Sequence, residues 1–97
     1  MVVRVLDHVE HCYTNEDGKV IAAILRQGFS CQEKVTLSFE GVDSVPTSFV
    51  NTAFVDLLGD FTLDFVREHL AIVNSTRQIN GLIKDLMSRA AKGPIAA

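Results

Sequence analysis

The sequence predicts an α/β domain: a mostly parallel sheet with helices packed on it. Three observations carry that prediction. Short apolar runs at residues 2–6, 35–39 and 70–73 alternate with longer stretches whose apolar residues recur every three to four positions. The order is strand, helix, strand, helix, short helix, strand, helix, the alternation that right-handed parallel crossovers produce. The chain has 97 residues, 47% of them apolar, with a formal net charge of −3, which suits one small core and is too patterned for a disordered segment.

Taken in order, VVRVL at residues 2–6 is short and β-branched and reads as a strand. Val9, His11 and Tyr13 alternate with Glu10 and Cys12, so residues 8–13 continue that strand or pair with it. Thr14, with Asp17 three residues on, opens a helix by a capping hydroxyl and first-turn acids. Val20, Ile21, Ile24 and Leu25 form its buried face, Gly28 is its stop and Phe29 packs back. Val35, Leu37 and Phe39 alternate with Thr36 and Ser38 in the central strand, and Gly41 leaves it with a positive φ.

Pro46 lacks an N–H and disfavours helix at Val45, so the next helix starts just after it, with Thr47 or Ser48 as N-cap. Val50, Ala53, Phe54, Leu57 and Leu58 make its apolar face and Gly59 closes it. Thr62 caps a short helix over 63–68, anchored by Phe61 and Val66. The strand 70–73 is apolar on both faces, as in a sheet covered on both sides. Asn74 and Ser75 cap the last helix, where Ile79, Leu82, Ile83, Leu86, Met87 and Ala90 fall at helical spacing with Leu86 in mid-stripe. Lys92, Gly93 and Pro94 end it, so the domain spans 1–92 and residues 93–97 are a flexible C-terminal tail.

Several function classes are disfavoured. Mild acidity gives no electrostatic case for nucleic acid. No apolar run approaches the roughly 18 residues of a membrane span, and the N-terminus is charged too early for a signal peptide. Cys12 and Cys31 are expected as reduced thiols, which places the chain in the cytoplasm. His8 and His11 would point to opposite faces of a strand, and no Cys-x-x-Cys pair exists, so no metal site is expected. Nothing supplies Cys12 with a base and an orienting group. Gly41, Gly59 and Gly81 are isolated rather than gathered in a phosphate loop. His69, just before a strand, reads as a surface residue. No catalytic residue and no cofactor is expected.

In parallel sheets, functional groups gather beyond the carboxyl ends of the strands. The loop 41–48 lies at such an end, with Asp43, Ser44, Thr47 and Ser48 crowded around Pro46, and Asn74 and Ser75 lie at another. The hydroxyls of Thr47 and Ser48 are either helix caps or a site. A phosphate there would bring about −1.5 to −2 charges and switch binding on or off. Asn51, Thr52 and Val55 lie roughly opposite the buried face, so Val55 is an apolar residue on a polar side: a scattered exposed residue, or part of a shallow interaction surface.

Residues 35–59, VTLSFEGVDSVPTSFVNTAFVDLLG, resemble the core of the STAS family, named for sulphate transporters and anti-sigma-factor antagonists. That pattern is an apolar strand, an acidic or polar residue with Gly-Val, a short loop, then Asp-Ser-Ser-Gly-Leu opening a helix. The closer similarity is to the STAS-like domains of unknown function. Their helix opening Ser-Phe-Leu-Asn-x-Ala is matched by Ser48-Phe49-Val50-Asn51-Thr52-Ala53, followed by Gly59-Asp60-Phe61. Their first-helix stretch Thr-x-Glu-Asp-Gly is matched by Thr14-Asn15-Glu16-Asp17-Gly18, so the resemblance covers about residues 2–92.

The resemblance implies the STAS-like fold and a non-catalytic regulatory module that docks a partner protein through residues 43–55. The implied partner class is an ATP-binding, ATPase-fold regulatory kinase of the anti-sigma type. Thr47 occupies the place of the phosphorylated hydroxyl and Ser48 the next, while Pro46 stands where the family has an acid and Phe49 where it has a glycine. Asp43, Ser44, Thr47, Ser48, Asn51 and Val55 are the expected contact residues. The alternative is a self-associating scaffold, a homo-oligomer burying the 51–55 face, with Thr47 and Ser48 as caps only. A hydrolase using Ser48 lacks a His and an acid to serve it.

Overall fold

Val2–Arg4 (β1), Val35–Ser38 (β2) and Leu70–Val73 (β3) form a parallel sheet in the order β1-β2-β3, in a computed structural model that describes residues 1–92. The central strand is the expected one. Register places Val3 beside Leu37 beside Ile72, and Val35 beside Leu70. These five residues share one face, which the helices bury. On the other face Val2, Ala71 and Val73 are exposed, so among the described residues nothing supplies the cover expected on both sides of residues 70–73. β3 is an edge strand, and a run of four apolar residues does not by itself tell one covered face from two.

The helices are Asn15–Ser30 (α1), Thr47–Ala53 (α2), Leu63–His69 (α3) and Arg77–Lys92 (α4), with 3-10 turns at Val5–Asp7 and Val55–Gly59. None is long and apolar enough to cross a membrane. The first turn ends β1 at Arg4, and residues 8–13 form no strand. Val9 and Cys12 are both buried, and three-residue spacing does not fit a strand with one buried face.

The capping box that opens α1 is complete. Thr14 Oγ1 accepts from the Asp17 N–H at 3.2 Å, and Asp17 Oδ2 accepts from the Thr14 N–H at 3.2 Å and the Tyr13 N–H at 3.1 Å. Gly28 does not stop the helix, which runs to Ser30. A Cβ on Gly28 would meet Val35 Cγ2 at 2.6 Å, so this glycine lets the helix lie against the start of β2. Gly18 makes a second close approach: a Cβ there would lie 2.9 Å from Thr52 Cβ and 3.0 Å from the Phe49 carbonyl oxygen of α2. Arg26 secures the other end of this crossing, donating to the Asp56 carbonyl at 3.1 Å and pairing with Asp60.

α2 buries Phe49, Val50 and Ala53, then gives way to the 3-10 turn, so Gly59 closes that turn rather than an α-helix. Phe54 and Leu57, both fully buried, are three apart and join through a Leu57 N–H to Phe54 carbonyl bond of 3.1 Å, the period of the tighter helix. In α3, Thr62 caps as expected, accepting from the Phe65 N–H at 3.1 Å, and Val66 is buried. His69 is not a plain surface residue. It stacks on Phe65 at 3.9 Å, its Nδ1–H donates to the Phe65 carbonyl at 2.8 Å, and it meets Phe29 edge-on.

Along α4 the buried row is Ile79, Ile83 and Met87, at i, i+4 and i+8, and Leu86 is half-buried at its flank rather than in mid-stripe. Capping falls to Thr76 rather than to Asn74 or Ser75, since Thr76 Oγ1 accepts from the Ile79 N–H at 3.2 Å. Residues 93–97, expected as a tail, lie outside the described residues.

Candidate functional site

Because all three strands are parallel, the segments after β1, β2 and β3 meet at one end of the sheet. Gly41, at φ 88, turns the chain out of β2, and the start of α4 holds the loop that follows. Thr76 Oγ1 donates to the Asp43 carbonyl at 3.1 Å while capping α4. The Gln78 amide closes a two-way pair with buried Val45: the Val45 N–H donates to Oε1 and Nε2–H donates to the Val45 carbonyl, both at 3.0 Å. Deeper in, Ser38 Oγ accepts from Asn74 Nδ2 at 3.0 Å and from the Glu40 N–H at 3.3 Å. The backbone is therefore fixed, while the side chains of Asp43 and Ser44 are exposed.

Thr47 and Ser48 do not cap α2. Pro46 is the N-cap, with φ −84 and ψ 163 and no side-chain hydrogen bond. Its ring pre-sets the extended entry, and its carbonyl accepts the first helical bond, from the Val50 N–H at 3.3 Å. Thr47 and Ser48 thus become the first two residues of the helix, both exposed, and neither side chain bonds to a backbone group among the described residues. Asn51, one turn on and also exposed, neighbours both at i+4 and i+3. Thr52 instead faces α1, its hydroxyl donating to Asn15 Oδ1 at 3.3 Å. Val55 is half-buried and packs on the core, so it leaves the expected exposed side. Five of the six expected contact residues, Asp43, Ser44, Thr47, Ser48 and Asn51, are exposed along the loop and the first turns of α2.

Asp43 and Ser44 also form one wall of a polar cleft of about 240 Å³, whose other wall is residues 10–13. There His11 and Tyr13 stack in parallel with centroids 5.1 Å apart, and Tyr13 is 64% exposed. Reading residues 8–13 as a strand hid this pair; the available signal was the spacing of Val9 and Cys12 within an otherwise polar run. Gln78 and Thr76 also went unforeseen, because they act on a loop 33 residues earlier in the chain.

Cys12 is buried within this end of the molecule. Burial, with the nearby Asp17 charge, pushes its thiol up to about 11, so it stays protonated at neutral pH and is a poor nucleophile. For Asp17, desolvation pulls its pKa upward, but the Tyr13 and Thr14 N–H groups, the Thr14 hydroxyl and the neighbouring His11 together hold it below the usual carboxylate value. Among the described residues no three His, Cys, Asp or Glu converge as a metal set.

A family profile described as a STAS-like domain of unknown function matches residues 3–80, from β1 into the first turn of α4, and so spans the whole loop and α2. No curated protein and no solved structure matches the chain. The chain belongs to the family of STAS-like domains of unknown function, and its parallel sheet and helices are an α/β fold of that kind.

Proposed function

We propose that this chain is a regulatory binding module that does no chemistry of its own and docks a partner protein through the loop and helix at residues 43–55. One observation carries the reading: Thr47 and Ser48 expose hydroxyls with no capping role, at the end of a loop whose backbone is held by Thr76 and Gln78. Such a surface is preorganised, so a partner that binds it spends little ordering the loop. Membership of a STAS-like family, generally non-catalytic, supports a binding role. The high thiol pKa of Cys12 agrees with it. The resemblance to anti-sigma-factor antagonists supports an ATP-binding regulatory kinase as the partner, acting in the cytoplasm. Phosphate on Thr47 or Ser48 would add a charge that the interface must desolvate, which releases the partner.

Self-association through the 51–55 face has less support, since Thr52 is turned to α1 and Val55 to the core. The test is a pull-down from a lysate of the source cell with tagged wild type and with Ser44→Arg/Asn51→Arg, both positions exposed. An ATPase-fold kinase retained by the wild type and lost from the variant, at equal unfolding midpoints, is the expected result. The same kinase retained by both would move the docking surface elsewhere.

A further inference from the structure

The side of the molecule around β3 carries a different feature. The Phe39 N–H donates to the Val73 carbonyl at 3.1 Å, which turns the polar groups of Val73 toward β2. Alternation along the strand then turns those of Ile72 away from β2, onto an edge that no other strand covers among the described residues. The Leu70 N–H, on the same edge, is taken by the Val66 carbonyl at the end of α3. The Leu70 carbonyl and both polar groups of Ile72 remain without a protein partner among the described residues.

Beneath this edge lies a groove of about 190 Å³ between α3 and α4. Its floor is apolar, from Val66, Ile83 and Met87, and half-exposed Leu70 and Ile72 form its lip. Two cations, Arg67 and Lys84, line it, and no carboxylate does. Neither is in a salt bridge among the described residues, whereas Arg4, Arg26 and Arg89 all are.

We propose that the β3 edge and this groove form a second docking site, for an extended acidic segment of a partner protein that adds as a strand beside β3. The free Ile72 N–H and carbonyl select an extended backbone. The alternation of the added strand sends every second side chain toward the groove, where the floor takes an apolar group. Arg67 and Lys84, which line the same groove, favour acids two residues to either side of that apolar group, on the same face of the added strand, and disfavour bases there. The other free edge of the sheet, β1, carries Val2, Val3 and Arg4 and no acid, so a second copy of the chain does not supply that charge through its own edge.

The experiment titrates the full chain with three labelled peptides of about eight residues in which threonine fills every second position and the positions between run X-Val-X, with X glutamate, threonine or lysine, so that valine and X share the groove face of an added strand and the threonine peptide is the neutral reference. Binding is read by fluorescence anisotropy and by the amide shifts of residues 70–73. The glutamate peptide binds and moves the Ile72 amide, and the lysine peptide binds at least about tenfold more weakly. Arg67→Glu/Lys84→Glu, both at exposed positions, keeps the unfolding midpoint and inverts that order. If the double variant does not fold, the glutamate-to-lysine ratio on the wild type decides alone. Three results overturn the proposal: no peptide moving the Ile72 amide at millimolar concentration, glutamate and lysine peptides moving it equally, or a wild-type dimer in solution that buries β3 and so gives the edge to a second copy.

Discussion

α1 and α2 both begin after a hydroxyl-bearing stretch, and they begin in different ways. At α1 the Thr14 hydroxyl and the Asp17 carboxylate are consumed by backbone N–H groups in a reciprocal cap. At α2 Pro46 sets the entry by ring geometry alone, and the hydroxyls of Thr47 and Ser48 face solvent. Side chains spent on a helix end hold the fold; the same side chains released from that task are free for a partner. The inner side of α2 makes the contrast sharper. Phe49, one residue past Ser48, is fully buried, so fold and surface divide between adjacent residues.

The largest expected effect breaks the inner side. Phe49→Ala should destabilise by about 3–5 kcal/mol, a large part of what a domain this size has. Chemical denaturation reads it, and a loss below about 1 kcal/mol would show that the site can collapse around the change. Next is the crossing itself. Gly18→Ala should cost about 1–3 kcal/mol, because its Cβ meets backbone as well as Thr52. Thermal unfolding at constant pH checks it, and an unchanged midpoint would mean that α1 and α2 separate freely.

Smaller effects test the two helix starts against each other. Thr14→Ala should cost about 1 kcal/mol, whereas Thr47→Ala/Ser48→Ala should stay within about 0.5 kcal/mol, as for exposed positions without partners. Equal losses in denaturant titrations would erase the difference between the two starts. Asp17 adds a pH signature. Its folded pKa lies below the unfolded value of about 3.9. It therefore contributes stability above that pH and loses it as pH falls through the folded pKa. Asp17→Asn should flatten the acid side of the stability curve below about pH 4, by a small amount because the group is near the surface. A curve identical to wild type would show that the carboxylate does not support the cap.

Much of this arrangement was legible because it is local. The capping box at Thr14, the Thr62 cap and the period-2 run of β2 are set by residues within four positions of one another, and each stands in the structure as the pattern implies. What misled was long-range. Gly28 reads as a helix stop from its neighbours, yet Val35 decides its role. Thr47 and Ser48 are the local exception: they read as caps, yet the adjacent Pro46 takes that position. Gln78 carries no motif, and only the fold brings it to Val45. The stripe of α4 centres on Ile83 rather than Leu86, because the burial row follows the i+4 direction that faces the 3-10 turn and α2.

In the proposed docking mode the freed hydroxyl of Thr47 sits in the partner interface. The most direct measurement is the affinity of wild type and of Thr47→Asp for the purified protein that the wild-type pull-down retains, with the unfolding midpoint of each. An acid in the first turn of α2 suits the helix dipole, so the midpoint should match wild type. Affinity should fall by roughly tenfold or more, because the new charge must be desolvated on docking. Equal affinity of two equally folded proteins would remove Thr47 from the site.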